Sequence, residues 1–557
     1  MKTMTSFDHY YDYAEMSEML KNLSETYPQI MSYSSLCTTC ENREVWAVEL
    51  TNKATGDALS KPAFYIDGNT HAGEVTGSMA ALHTIDVLCT MYGHDAGITT
   101  LLDENTVYVI PRISPDGAET YLKSAYSLRS VNRSYLAEDE GLTQEDVDND
   151  GVLRMMRFKD PHGAWVKTDS FMRRRMPDEK TGEFYSVYAE GVIENYNGFD
   201  FKVQKPKWGL DFNRNYPYGW FHEVRQPGAG AYPLSNPETK AVVDFVQSHP
   251  NISCVATHHT SGGVILYPPG TKPEKSGNPF DMKVYKEIGK KGTQEMGYEV
   301  INIFDHFMVD QENYSSGAFD DWCYENQGIF AYTIELWNLK ERIGKKIDWS
   351  KQGNESDEDK LDTYLKIVQW AKENTPEAYK EFTSFVHPQL GEGEIGGFDS
   401  KFVLQNPPKH LLKQECEKTT QFMLRYAKVL PQLNVASLKA EKISENCYKV
   451  EAVIENQGYL PTYGSQNAKK LKLDTPVQVT MKNAVCLMGN QTQKIGDLEG
   501  FASIRSDYTY YGLISTGTMP AIMKKAEWLI QAPSGTEIVI EAKHERAGTA
   551  TACVVLD

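Results

Sequence analysis

His71-Ala72-Gly73-Glu74 sets an imidazole and a carboxylate three positions apart, directly after the apolar run Ala63-Phe-Tyr-Ile-Asp-Gly68. On a turn from a strand end into a helix, side chains so spaced can reach one ion, and this donor pair suits zinc. HxxE alone is weak, since a surface His and a helix-start Glu produce it by chance, so a third ligand must come from a distant strand. The run Ile252-Ser-Cys-Val-Ala-Thr257 leads straight into His258-His259. If the chain is still extended there, the two rings point to opposite faces and only one can be the ligand. A packed, hydrogen-bonded histidine pair is the plain alternative.

Such residues need a sheet to carry them. Strand-like runs occur at 45–50, 63–68, 106–111, 252–257 and 330–336, separated by helix-like stretches that include 77–91 and 240–247. An amphipathic helix precedes them, with Met16, Met19, Leu20, Leu23 and Tyr27 on one face and Pro28 closing it. Buried strands alternating with helices predict an α/β fold, a mixed central sheet flanked by helices. After a helix-like stretch from Lys409 to Leu430, ended by Pro431, the chain turns short-period and rich in turn residues. That change predicts a C-terminal all-β sandwich. The 557 residues exceed what one growing core accommodates. The expected domains are therefore 1–433 and 434–557. Residues from about 134 to 208 form a polar insertion too long for an ordinary loop. Within it Asp146, Asp148 and Asp150 precede Gly151 at the alternate spacing a calcium loop uses, although position twelve is Arg157, not the Glu of an EF-hand. A bare calcium loop and a solvated acidic turn fit equally.

The formal charge of −19 argues against nucleic acid or an anionic membrane as partner. No run reaches the roughly 18 apolar residues of a membrane span. The first twenty residues lack the apolar core and cleavage site of a signal peptide, and several of the nine cysteines lie in apolar runs, so the expected location is the cytoplasm. Cys37-Thr-Thr-Cys40 sits in a polar turn, not at the start of a helix, and reads as turn residues or an incidental disulfide.

Taken together, His71-xx-Glu74, Asn213-Arg214-Asn215, His259 followed by Leu266-Tyr267-Pro268, and Glu335 in Tyr332-Thr-Ile-Glu-Leu336 occur in the order found in the carboxypeptidase A-like (M14) zinc peptidases. The chain resembles that family over about residues 7 to 430, interrupted by the insertion. The resemblance implies that His71, Glu74 and His259 hold zinc, the spacing to Tyr267-Pro268 choosing His259 over His258. It implies Glu335 as general base for the attacking water, and Asn213 with Arg214 as the clamp on the substrate's terminal carboxylate. An arginine for the developing oxyanion is expected after Ser114-Pro-Asp-Gly117, where both Arg129 and Arg133 lie, Arg129 being favoured on spacing. Tyr314 matches the tyrosine that closes over substrate only with a one-residue shift. The implied partner is a peptide with a free C-terminus.

Two departures touch substrate choice. Gly73 stands where pancreatic members carry Arg, and counting back from Trp322 puts Asp320 at the specificity position. An acidic floor there would favour C-terminal Lys or Arg. Two other readings compete: an acylase or deacylase of small amidated substrates on the same scaffold, and a non-catalytic binding protein with a degenerate site. The carboxylate clamp favours peptides over the first, and intact ligands with Glu335 disfavour the second.

Overall fold

The computed structural model describes residues 3–557 apart from 132–139, 169–170, 205–208, 350–354, 505, 509–513 and 517–518. Arg133 lies outside the described residues. The central sheet has eight strands: β1 (Met31–Thr38), β2 (Glu44–Leu50), β3 (Ala63–Gly68), β4 (Thr106–Ile110), β5 (Ile252–Thr260), β6 (Val264–Tyr267), β7 (Glu299–Asn302) and β8 (Phe330–Leu336). Their order is β1-β2-β4-β3-β5-β8-β6-β7. Strands β4, β3, β5 and β8 run parallel, while β2 and β6 pair antiparallel with the neighbours that join them to this core. The fold is thus α/β around a mixed sheet. Strands β3 and β5 are buried at every position, as central strands covered on both faces must be.

One cover is the helix Val75–Met91, buried from Val75 through Thr90 between the sheet and the helix Lys409–Tyr426. Its close seat needs a glycine: a Cβ on Gly77 would come within 2.6 Å of the His258 carbonyl oxygen. The first helix, Tyr13–Thr26, starts at a reciprocal capping box between Asp12 and Glu15 and buries Met16, Met19, Leu20 and Leu23.

The insertion is a sheet, not a loop. Met155–Lys159, Trp165–Lys167, Met172–Arg174 and Phe184–Ala189 combine with Tyr379–His387 and Gly391–Phe398 into six strands. Leu142, Met156, Phe158, Ile193 and Ile395 form its small core. Strands this short show little periodicity, and the pairing partner of Met155–Arg157 stands at Glu394–Gly396. The acidic loop within it carries its own cations. Lys380 Nζ lies 2.6 Å from Asp148 Oδ2 and 3.0 Å from Asp150 Oδ2, and Arg154 Nε donates to Asp150 at 2.8 Å. Asp146 meanwhile accepts the backbone N–H groups of Asp150 and Gly151. The calcium expectation for Asp146, Asp148 and Asp150 gains no support: the three carboxylates do come together, but Lys380 and Arg154 already pair with Asp148 and Asp150.

From Leu433 onward the chain forms a β domain. Leu433–Ser444, Cys447–Asn456, Met523–Gln531 and Val485–Met488 make one four-stranded sheet; Thr492–Gly496, Val477–Lys482, Glu537–His544 and Gly548–Val555 make the other. Val450, Ile454, Val479, Trp528 and Ile540 fill the space between them. This domain docks on the helix Phe319–Gln327 through buried Arg546, whose guanidinium donates to the carbonyls of Gln327, Gly328 and Tyr463. Asp281 completes the junction by accepting the N–H groups of Gln466 and Asn467 at 2.8 and 3.0 Å. Arg546→Met would leave the Gln327 and Tyr463 carbonyls without this donor, Gly328 keeping the Ser465 hydroxyl, and is expected to cost about 2 kcal/mol. A lowered unfolding midpoint in urea checks this.

Candidate active site

The strand β3 ends in Asp67-Gly68, and the chain turns through Asn69, whose φ is +59°. Asparagine tolerates that left-handed backbone. Its side chain then shapes the turn, Nδ2 donating to the carbonyls of His71 and Ala72 at 2.9 and 3.0 Å. Glu74 N closes onto the His71 carbonyl and the helix begins at Val75. β5 lies beside β3 in parallel register, so His259 leaves its end next to this turn.

Three donors converge. His71 Nδ1 and His259 Nδ1 each lie 2.8 Å from a Glu74 carboxylate oxygen, and 3.1 Å from each other. In a tetrahedral zinc site with bonds of about 2.0–2.1 Å, neighbouring donors stand roughly 3.3 Å apart. The cluster is slightly tighter than that and of the right donor types, so His71, Glu74 and His259 fit a zinc ion. His258 points to the other face, where its backbone meets Gly77. All three ligand side chains are buried. Burial alone would raise the Glu74 carboxyl, but the two imidazoles outweigh it and hold the group well below the usual carboxylate range.

A second layer supports the first. His71 Nε2 lies 3.1 Å from Asp211 Oδ1, and Arg129 Nε donates to Asp211 Oδ2 at 3.0 Å. Arg129 Nη1 reaches Glu74 Oε1 at 3.2 Å, and the Arg129 carbonyl accepts from Ala72 N at 2.7 Å. Burial works against Asp211, yet Arg129, Arg214 and His71 keep its carboxyl well below the ordinary range. A carboxylate on the far nitrogen of a ligating histidine orients the ring and fixes its tautomer. Asp211 was not anticipated, although it stands two residues before Asn213 in Leu210-Asp-Phe-Asn-Arg214.

Glu335 pairs with His259 in the parallel register of β5 and β8, so both sit on one face of the sheet. Burial, then the Glu74 carboxylate, push its carboxyl up to about 8 against the pull of His259 and Arg129. A dication among the three ligands would reverse the Glu74 contribution and favour the ionised base. Two residues earlier on the same face, Thr333 donates to Asp320 Oδ2 at 2.6 Å, which places Asp320 below Glu335. Its neighbour Asp321 accepts Gly270 N at 2.9 Å and is pushed up to about 8 by burial and by Asp320.

Asn213 joins this centre through Asp211, whose Oδ1 accepts Asn213 N at 2.9 Å. Asn213 and Arg214 occupy a short turn, Phe212–Arg214, half-buried, with Asn213 Oδ1 accepting Phe319 N at 2.9 Å. Tyr314 packs its ring against Phe221 and Phe304 at centroid distances of 5.6 and 6.1 Å. Gly73 has a steric reason: a Cβ would meet Gln405 Nε2 and Tyr121 Cε2, each at 2.8 Å, so a side chain there would have to displace both.

Asp211→Asn keeps the shape but removes the charge behind His71, and is expected to weaken zinc binding roughly 10–100-fold. His71→Ala should abolish stoichiometric binding. Competition against a chromophoric chelator measures both.

Residues 16–345, more than half of the chain, match the family described as zinc carboxypeptidase, peptidase M14. Residues 432–555 match a family described only as a domain of unknown function. Carboxypeptidase A2 of Rattus norvegicus is 24% identical over 347 residues, which are 59% of this chain and 63% of the rat protein. Carboxypeptidase D of Homo sapiens is 30% identical over 356 residues, covering 61% of this chain and 20% of the human protein. The chain thus spans less than two thirds of the length of these curated relatives. Among solved structures, thrombin activatable fibrinolysis inhibitor aligns with TM-score 0.44 and 16% identity over 76% of this chain and 78% of that one. Carboxypeptidase A from Helicoverpa armigera aligns with TM-score 0.40 and 18% identity over 67% and 76%. On the family match, this chain belongs to the zinc carboxypeptidases of peptidase family M14.

Proposed function

We propose that the cleft hydrolyses the last peptide bond of peptides with a free C-terminus, with zinc held by His71, Glu74 and His259. The observation that carries this reading is the convergence of those three side chains within 3.1 Å of one another, with Arg129 against Glu74 and Glu335 abreast of His259. Zinc, when bound, supplies a Lewis acid that polarises the scissile carbonyl and acidifies the attacking water. Glu335 takes the water's proton and returns it to the leaving amine. Arg129 stabilises negative charge as it develops on the carbonyl oxygen. A guanidinium has five N–H donors, so its bonds to Asp211 and Glu74 leave donors for substrate.

Asn213 and Arg214 receive the terminal carboxylate, Arg214 through a planar fork that suits two oxygens. Tyr314 swings from its rest on Phe221 and Phe304 to cover the occupied cleft. Asp320 forms an acidic floor below Glu335 and selects C-terminal Lys or Arg.

The test is a set of peptides with varied C-termini, followed by mass spectrometry with and without a zinc chelator. Single-residue loss from the C-terminus, blocked by chelation, is expected. Glu335→Gln should retain zinc and lose roughly 10²–10⁴-fold in kcat. Arg214→Ala should raise KM roughly 10–100-fold. Internal cleavage by the metal-loaded protein, or equal turnover of C-terminally amidated peptides, would sink the carboxypeptidase reading. A Lys/Arg preference that survives Asp320→Ala would remove Asp320 from it.

A further inference from the structure

The helix that starts at Val75 has no cap of its own, since Glu74 occupies the N-cap position without a side-chain cap bond. First-turn N–H groups have no intrahelical partner, and a buried one needs an acceptor from elsewhere. Here it comes from 330 residues downstream: Asn406 Oδ1 accepts Thr76 N at 3.1 Å and Thr76 Oγ1 at 2.8 Å. The other half of the same amide donates to the Gly73 carbonyl at 2.8 Å. Thr76 N can only donate and Gly73 O can only accept, so these partners fix which way the amide points. One fully buried side chain therefore brackets Glu74, holding the residue before it and the second residue after it.

Asn406 is itself held. Its Nδ2 is shared with the Tyr121 hydroxyl at 3.0 Å and the Lys401 carbonyl at 3.1 Å. Tyr121 Oη reaches Gln405 Oε1 at 3.0 Å, and Tyr10 Oη donates to the Pro407 carbonyl at 2.6 Å. The segment enters this position directly from the turn Lys401–Gln405, which follows the insertion-sheet strand Gly391–Phe398. The far end of that sheet is thus tied to the ligand turn.

We propose that Asn406 is a positioning residue for the metal: by bracketing Glu74 it fixes the carboxylate toward His71 and His259, and it couples the insertion sheet to zinc affinity. This rests on reading His71, Glu74 and His259 as the zinc site. Asn69 holds the turn before Glu74 and Arg129 holds its carboxylate, while Asn406 grips the backbone on both sides of it.

The experiment uses the full chain with Asn406→Ala, Tyr121→Phe and, as control, Thr420→Val. Thr420 is a buried hydroxyl bonded to His83 and Thr84 on the same helix, several turns from Glu74. The readouts are zinc dissociation constant by chelator competition, thermal midpoint of the metal-free chain, and kcat and KM at saturating zinc. Asn406→Ala is expected to weaken zinc roughly 10–100-fold with KM unchanged. Tyr121→Phe, which removes one support of Asn406 and keeps the ring, should weaken zinc severalfold. Thr420→Val should lower the midpoint and leave zinc affinity as in the wild type. The proposal is overturned if Asn406→Ala binds zinc within twofold of wild type, or if Thr420→Val loses as much affinity. Should Asn406→Ala not fold, an unchanged affinity in Tyr121→Phe overturns it. A wild-type chain that binds no zinc overturns the zinc reading and this one together, whereas normal wild-type binding with unaffected variants overturns this one alone.

Discussion

Glu74 brings a carboxylate into a nearly water-free space and sets it 2.8 Å from each of two imidazole nitrogens. A buried charge of this kind is costly unless paired and hydrogen-bonded. The cleft answers with alternating charge: Arg129 touches Glu74, Asp211 touches both Arg129 and His71, and Arg214 stands behind Asp211. Removing any member leaves its neighbours with uncompensated buried charge. That coupling ties His71, Glu74, Arg129, Asp211 and Arg214 into one network.

The backbone meets this constraint by adjacency of strands. His259 is 188 residues from His71 in sequence, yet β3 and β5 are neighbours and their ends open on the same edge. Parallel register then sets Glu335 beside His259 and Thr333 beside Thr257, so Glu335 and the Thr333 that holds Asp320 share one face. Gly77 lets the helix after Glu74 press against β5 at the His258 carbonyl. Because side chains alternate along a strand, a slip of one residue in β8 would turn Glu335 away from the metal.

Among the described residues, neither the insertion sheet nor the β domain places a side chain in the cluster of His71, Glu74 and His259. The β domain anchors the C-terminal end of the helix Phe319–Gln327 through Arg546 and Asn467, and the other end of that helix carries Asp320 and Asp321. The insertion sheet leads into Gln405, which with Tyr121 fills the space beside Gly73 that a longer side chain would need. The surroundings of Asp320 and of Glu74 are therefore shaped by parts of the chain that carry no recognisable motif.

Much of the central sheet was legible because buried parallel strands write themselves as short apolar runs: the runs at 63–68 and 330–336 are β3 and β8. The cluster of His71, Glu74 and His259, with Glu335 abreast, was legible because each sits at a strand end or turn with fixed local spacing, and a motif's order survives in one dimension. Asp211 carried a local signal, a carboxylate two residues before Asn213, but the His71 ring that gives it meaning lies 140 residues away. The six-stranded insertion sheet was not legible, since its strands are half-exposed, four of them are short, and its two halves meet only where Met155–Arg157 pairs with Glu394–Gly396, more than 200 residues on. Nor was Asn406, for nothing near it in sequence marks it; only packing puts its amide against Gly73 and Thr76. The Asp146, Asp148 and Asp150 loop fitted a calcium loop and a solvated acidic turn equally in sequence, because Lys380, which pairs with two of its carboxylates, lies 230 residues beyond Asp150. By itself, then, the sequence determined which donor types stand at strand ends and in what order, because those depend on local periodicity. Which partner each buried polar group finds was decided by tertiary structure, because a hydrogen bond is set by distance in space and not by separation along the chain.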